Sequence, residues 1–399
     1  MVDQFTRTEH QGFFSRLASS FFGVLVGFLM IPGSICLLSW NEYRTIHRTR
    51  GLAEAEKVVE PVADPMEIDP KLEGKLVHVS GTATTDETLS DPDFSLSRVA
   101  LQLRREVEMY QWVETKESKT RDKLGGGKET VTTYRYERKW HSGRIDSDHF
   151  EERTGHANPT PLYATQTFVA KKGTLGALQL RSDLVRQISE WKTIPIDIQA
   201  LLSKMDDATR KRFAVEGDQL VYSADPAQST QPSVGDLRIR FRFVDPTTVS
   251  ILSSLKQRGL EPYATSNGET VESLVVGAVS ATKMFEGLKQ ENTMFAMILR
   301  LIGWVLACVG FGLIVGPIKA LANVIPFLGQ LVGIATGAIA FLLGSCVALL
   351  TIGLAWFAVR PLYAIALFGL SAFGLFVLFR KRKTTVAPVQ QPPMATLID

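Results

Sequence analysis

The 399-residue chain carries 44 Lys and Arg against 41 Asp and Glu, a formal net charge of +3. That excess is too small and too evenly spread to draw the chain to nucleic acid. Hydrophobic residues make up 45% and the mean hydropathy is +0.07, which excludes an ordinary soluble protein less firmly than the distribution does. Charge is spread throughout residues 41–292, whereas from Met294 to Phe379 only Arg300, Lys319 and Arg360 interrupt an apolar run. The three cysteines, Cys36, Cys308 and Cys346, all lie in apolar segments. The charged middle therefore folds on a hydrophobic core, without a disulfide framework or a zinc ribbon.

Residues 1–20 read as a cytosolic N-terminus and residues 21–40 as a first transmembrane helix, uncharged, uncleaved and kinked at Pro32. A second span covers 294–316, with Arg300 one turn in, where a long side chain can reach the interface. Pro317 ends it. Residues 317–328 hold Lys319, Asn323 and Pro326, too polar for a span and too apolar for a loop, and are expected to be interfacial or re-entrant. A third span covers 329–359, Arg360-Pro361 turns the chain, and 361–379 makes a fourth. Residues 380–399 form a basic and then disordered cytosolic tail, in which Arg380, Lys381, Arg382 and Lys383 set the orientation. With four spans the N-terminus is cytosolic too, and residues 41–293 form a large luminal or periplasmic domain.

Glycines four apart put a smooth groove on a helix face. Gly23 with Gly27, Gly312 with Gly316, and the triple Gly329, Gly333 and Gly337 have that spacing. The triple is expected to pack against another helix, of this chain or of another copy.

Within the large domain, residues 76–84 alternate and meet a turn. From Val99 to Val113 the apolar residues fall on odd positions, the mark of a half-buried strand. Its expected partner is 131–140, where Tyr134, Tyr136 and Trp140 share a face, across a polar mobile tip at 116–129. Further strands are expected at 165–170, 219–223, 236–244 and 272–277, with a helix at 182–191 capped by Ser182. Helical spacing at 281–293 can continue into the second span. The fold is thus an α-helical membrane domain of four spans plus an α+β, mainly antiparallel-β extramembrane domain.

Little in the chain reads as catalytic. Gly125, Gly126 and Gly127 are followed by no Gly-Lys-Ser/Thr and form a hairpin tip, not a phosphate loop. His141, Asp146, Asp148, His149, Glu151 and His156 are the densest set of potential ligands, but they lack paired spacing and read as a solvated loop. No residue is assigned to catalysis, a cofactor or a metal. Of the intramembrane charges, Arg300, Lys319 and Arg360 lie near span ends, and the bundle core holds no carboxylate by this reading. Tyr110, Trp112, Tyr134 and Tyr136 are expected to form core in preference to a contact face.

Trp40-Asn41-Glu42, the run 73–79, Leu89-Ser90-Asp91-Pro92, the long block from Leu103 to Glu114, Gly155-His156 with Asn158-Pro159, the run 234–238, and Arg360-Pro361-Leu362 follow one another along the chain. In these runs the chain resembles the transmembrane protein 43 (LUMA) family. The resemblance implies four spans with both termini cytosolic and the large domain across the membrane. It also implies residence in the endoplasmic reticulum or inner nuclear membrane if eukaryotic, or in the inner membrane if bacterial. For a eukaryotic member the resemblance further implies self-association and complexes with lamina-linked membrane proteins. The expected function is therefore a non-enzymatic membrane scaffold whose partners are the lipid bilayer, further copies of the chain and other membrane proteins. Nothing points to nucleic acid or a small-molecule substrate. The alternative is a channel or transporter subunit.

Overall fold

In the computed structural model, residues 3–193, 201, 205–225, 231–357 and 361–379 are described. The chain divides into two units. A β-rich unit takes Tyr43–Lys123, Gly127–Met297 and the N-terminal residues through Gly12. A helical unit takes Phe13–Glu42, Leu124–Gly126 and the residues from Ile298 onward.

The β-rich unit is built on two sheets. In the larger, the strands run in the order Asp3–Gln11, Lys128–Ser142, Gln102–Asp122, Leu237–Val244, Gln219–Tyr222 and Phe213–Glu216. Gln166–Val169 pairs with the Gln102–Asp122 strand, and Lys192–Thr193 with Leu237–Val244. The second sheet centres on Leu76–Thr84 and Thr247–Lys256, paired antiparallel from Thr247 opposite Ala83 to Ser254 opposite Leu76. The parallel pairings are short: Glu60–Pro61 with Leu76–Thr84, and Leu178–Leu180 with Gly259–Glu261. The mainly antiparallel α+β reading holds.

The alternation in residues 99–113 sorts side chains as expected. Leu103, Val107 and Met109 join Leu237, Ile239, Phe241 and Phe243 in one core, while Arg104, Glu106 and Glu108 face away. Arg105 breaks the pattern, because it sits on the core side and is almost fully buried. Its guanidinium holds both oxygens of buried Asp91, at 2.8 and 3.0 Å, and donates to the Ala164 carbonyl at 3.0 Å. Burial pushes the Asp91 carboxyl up, against the pull of Arg105.

Several boundaries move. The hairpin expected to open into a mobile tip from residue 116 instead stays paired to Asp122 opposite Lys128. Threonine-rich sequence suits a strand, and Ser118 and Thr132 hydroxyls lie 3.0 Å apart across the ladder. The helix expected at 182–191 is shorter, Ser182–Gln187, and its N-cap is Arg181, without a side-chain cap bond from Ser182. Residues 3–11, read as part of a separate cytosolic terminus, pair with the Lys128–Ser142 strand along nine residues, from Asp3 opposite Tyr136 to Gln11 opposite Lys128.

The first long helix is Phe13–Val58, of 46 residues, and does not stop at Trp40 where the apolar run ends. It passes Pro32 without a break in helical assignment. The second, Ala281–Ile314, includes the helical stretch expected at 281–293. Inside the β-rich unit, Leu52 and Ala55 of the first pack with Met284, Phe285 and Leu288 of the second. Lys289 meets Glu56 at 2.6 Å and the Asn292 amide donates to the Thr45 carbonyl at 3.2 Å.

In the helical unit the segment expected to be interfacial holds a seven-residue helix, Gly316–Ala322. The next helix, Pro326–Phe357, starts three residues earlier than the apolar run suggests. Pro326 opens it because a missing N–H costs nothing in a first turn. Three helices are long and apolar enough to cross a membrane: Phe13–Val58, Ala281–Ile314 and Phe327–Phe357. The last helix, Pro361–Phe379, carries a shorter apolar stretch, Ile365–Val377. The expected four spans thus become three and one shorter apolar helix among the described residues. Arg360, Arg380, Lys381, Arg382 and Lys383 lie outside the described residues.

Candidate functional site

The sequence places Arg300 near a span end and finds no carboxylate in the bundle. The structure corrects both readings. Because the first helix continues past Trp40, Glu42 stays on it and is fully buried within the helical unit. Arg300 does not reach for the interface: its Nε and Nη2 donate to the two Glu42 oxygens at 2.6 and 2.8 Å. The indole N–H of Trp356 donates to the same carboxylate at 2.5 Å, and the Arg300 guanidinium lies 5.1 Å from that ring's centroid. One carboxylate thus ties together three long helices. A charge without water needs such partners, since an unpaired ion in a dry interior costs several kcal/mol.

Two further polar contacts join helices of this unit. The Trp304 indole N–H donates to Ser345 Oγ at 2.9 Å. Ser371 Oγ donates to the Cys346 carbonyl at 3.1 Å, bringing in the last helix.

The glycines divide differently from their spacing. At Gly27 an added Cβ would stand 2.6 Å from the Gly310 carbonyl oxygen, so the first and second helices cross backbone to backbone. Gly303 receives Leu38, and Gly344 lies against the Cys308 backbone, with 2.6 Å from its Cβ position to the Cys308 nitrogen. Of these three only Gly27 belongs to a pair that spacing singles out; Gly303 and Gly344 do not, because close approach depends on where a partner crosses. Gly312 has ordinary contact with Ala340 at 3.9 Å, and Gly316 meets Ser20 Oγ at 3.2 Å. In the triple, Gly329 abuts Asn323, which caps the short helix just before it, Gly333 abuts the Lys319 stem within that helix, and Gly337 has nothing within 4 Å. Among the described residues the triple therefore does not form one interface.

In the β-rich unit the resemblance block containing His156 and Asn158 closes a second cluster. Tyr136 is fully buried, its hydroxyl donating to Glu114 Oε2 at 2.7 Å and accepting from the Glu152 N–H at 2.9 Å. Burial, with the Glu114 bond, pushes the Tyr136 hydroxyl up to about 12. The His156 ring stacks on Tyr136 at 4.1 Å, meets Trp112 edge-on at 4.7 Å, and puts Nε2 3.3 Å from Asp3. Asn158 accepts from the Trp112 N–H at 2.8 Å and donates to the Trp112 and Ile145 carbonyls. Tyr134 and Tyr136 are core, Trp112 packs against it, and the Tyr110 ring meets Trp140 at a tilt, centroids 5.3 Å apart.

Of the potential ligands, His149 pairs with Asp146 at 3.0 Å and Glu151 with Arg7 at 2.7 Å. His141 is exposed, and its Nδ1 lies 3.4 Å from the Gly143 carbonyl. Among the described residues no three His, Cys, Asp or Glu side chains are grouped to hold a metal.

Comparison with known proteins gives a consistent result. The sequence profile of transmembrane protein 43 matches residues 109–361. The chain is 32% identical to transmembrane protein 43 of Homo sapiens over 392 residues, covering 93% of this chain and 95% of the relative. It is also 32% identical to that of Rattus norvegicus, with 95% of both chains covered. The transmembrane protein 43 homolog of Drosophila melanogaster is 29% identical over 291 residues, 72% of this chain and 74% of the relative. No solved structure matches. With its membrane-length apolar helices and this similarity along nearly its whole length, the chain is an integral membrane protein that belongs to the transmembrane protein 43 family.

Proposed function

We propose that the chain is a non-enzymatic membrane scaffold that self-associates through its helical unit and uses the β-rich domain to organise other membrane proteins. The observation that carries this reading is the outward face of the Pro326–Phe357 helix. There no atom of the described residues lies within 4 Å of a Cβ placed on Gly337, between exposed Ile334 and Phe341 one turn to either side. A flat small-residue patch between large apolar side chains suits close packing of a second helix in lipid. In this reading the last apolar helix makes a fourth crossing, and the membrane is that of the endoplasmic reticulum or nucleus, or the bacterial inner membrane. Gly337→Leu tests the interface. The wild-type chain in mild detergent runs as an oligomer by mass measurement, and the variant runs as a monomer. An oligomer unchanged by Gly337→Leu overturns this interface.

The Glu42–Arg300 pair gives specific support to a second reading, a channel or transporter subunit, because ionisable groups within spans line many ion paths. Flux through liposomes holding the purified chain separates the two. Ion-selective flux abolished by Arg300→Leu favours transport, and its absence from wild-type liposomes favours the scaffold.

A further inference from the structure

The outer face of the larger sheet carries an arrangement that strand alternation does not account for. On the Gln102–Asp122 strand it presents Arg104, Glu106 and Glu108, and on Leu237–Val244 it presents Arg238, Arg240 and Arg242. The register sets Arg238 opposite Glu108, Arg240 opposite Glu106, and Arg242 opposite Arg104. Charges opposed in this way usually pair across the ladder. Here Glu106 is shared instead by Arg104 at 3.6 Å and Arg242 at 3.4 Å. Among the described residues, Arg238 and Arg240 have no carboxylate within ion-pair distance.

Arg238 lies over the Trp140 ring at 4.0 Å, and its Nε is buried without an acceptor. The Nε of Arg104 is also buried without a hydrogen bond, its carboxylate neighbour Glu106 standing 3.6 Å away. Both residues line one cavity of about 250 Å³, together with Arg240, Glu106, Val107, Glu108, Ser142 and Thr165. Buried donors left without acceptors are costly and rare in folded proteins. Two in one cavity, beside a third guanidinium and the Ser142 hydroxyl, make a site rich in donors. Its three arginines outweigh its two glutamates, and Arg242 already engages Glu106 from outside.

We propose that this cavity binds a phosphate-bearing anion through Arg104, Arg238 and Arg240. Planar guanidinium forks match the oxygens of a phosphate, and several can share one tetrahedral group. The volume lies below that of a typical cofactor pocket, so it suits a single phosphate on a small substituent, free or as a lipid headgroup. Glu108 is the carboxylate that opposes the ligand, and so its charge sets the affinity. The inference stands apart from the scaffold reading, because none of these residues belongs to the helical unit.

The test uses the full chain in nanodiscs, titrated by calorimetry and by Trp fluorescence, since Trp140 lies under Arg238. The probes are inorganic phosphate and glycerol phosphate on phosphatidylcholine discs, and separately discs containing phosphatidylinositol phosphate. The expected result is saturable binding that Arg238→Gln weakens about tenfold and Glu108→Gln tightens. Arg240 is exposed, so Arg240→Gln weakens binding without disturbing packing, whereas Arg186→Gln, on another surface, changes nothing. Binding of the soluble probes identifies a free phosphate as ligand, and binding only to inositide discs identifies a headgroup; either supports the site. No saturation with any probe, or equal weakening by Arg240→Gln and Arg186→Gln, overturns it.

Discussion

The buried Glu42 carboxylate receives both Nε and Nη2 of Arg300, and that pair joins the first two long helices. Trp356 supplies a third donor, so either charge alone leaves an uncompensated ion, whereas an apolar replacement of both leaves none.

Glu42→Leu and Arg300→Leu are each expected to destabilise the helical unit by about 3–5 kcal/mol, the usual cost of breaking a buried pair from one side. The double variant Glu42→Leu with Arg300→Leu recovers most of that loss. Thermal unfolding in detergent checks the sign: a double variant as unstable as the sum of the singles would mean the two residues act separately.

Gly344→Val forces a branched side chain against the Cys308 backbone, where even a Cβ stands 2.6 Å from the nitrogen. Overpacking of this kind costs about 1–3 kcal/mol. Gly333→Ala meets only the Lys319 stem, at 3.0 Å, which can swing aside. Side-by-side melting curves are expected to show a clear loss for the first and little change for the second.

The N-terminal strand offers a direct cross-link. Thr8 stands opposite Val131 in the ladder, and the native cysteines all lie in the helical unit, so Thr8→Cys with Val131→Cys forms a disulfide under mild oxidation in intact membranes. Failure to cross-link would place residues 3–11 away from the large domain in the inserted protein.

Acid should loosen the same strand. The Arg7 guanidinium holds the Glu151 carboxyl below its ordinary value of 4.5. A lowered folded value means this contribution is complete above pH 4.5 and is lost as pH falls through the lower value. Hydrogen-exchange protection at residues 3–11, taken relative to the intrinsic rate at each pH, is expected to fall on acidification below pH 4.5, and Glu151→Gln to lower it already at neutral pH.

Tyr136 works in the opposite direction. Its hydroxyl is pushed from 10.0 to about 12, so its contribution is intact below pH 10 and is lost as pH rises through 12. Tyr136→Phe removes the donor to Glu114 and the acceptor of the Glu152 N–H, at a cost of about 1–3 kcal/mol. Ultraviolet titration of tyrosinate should lose its latest-ionising step in that variant.

Sequence by itself determined the segregation of a charged middle from apolar ends, because the ~20 residues that cross a bilayer must be contiguous. It also determined the strand faces around Leu103, Val107 and Met109, since period-two burial is written locally. The strand Thr247–Lys256 escaped notice because Ser250 and Ser253, both fully buried, interrupt its apolar run. Their hydroxyls reach the Gly277 and Glu261 carbonyls, partners that no local pattern shows. Only the tertiary structure decided that Glu42 belongs to the helical unit, that Gly27, Gly303 and Gly344 are the close crossings, and that Arg238 lies over Trp140 beside a cavity it shares with Arg104 and Arg240. Each depends on side chains that meet from distant parts of the chain, where composition and spacing carry no information about which charge finds a partner.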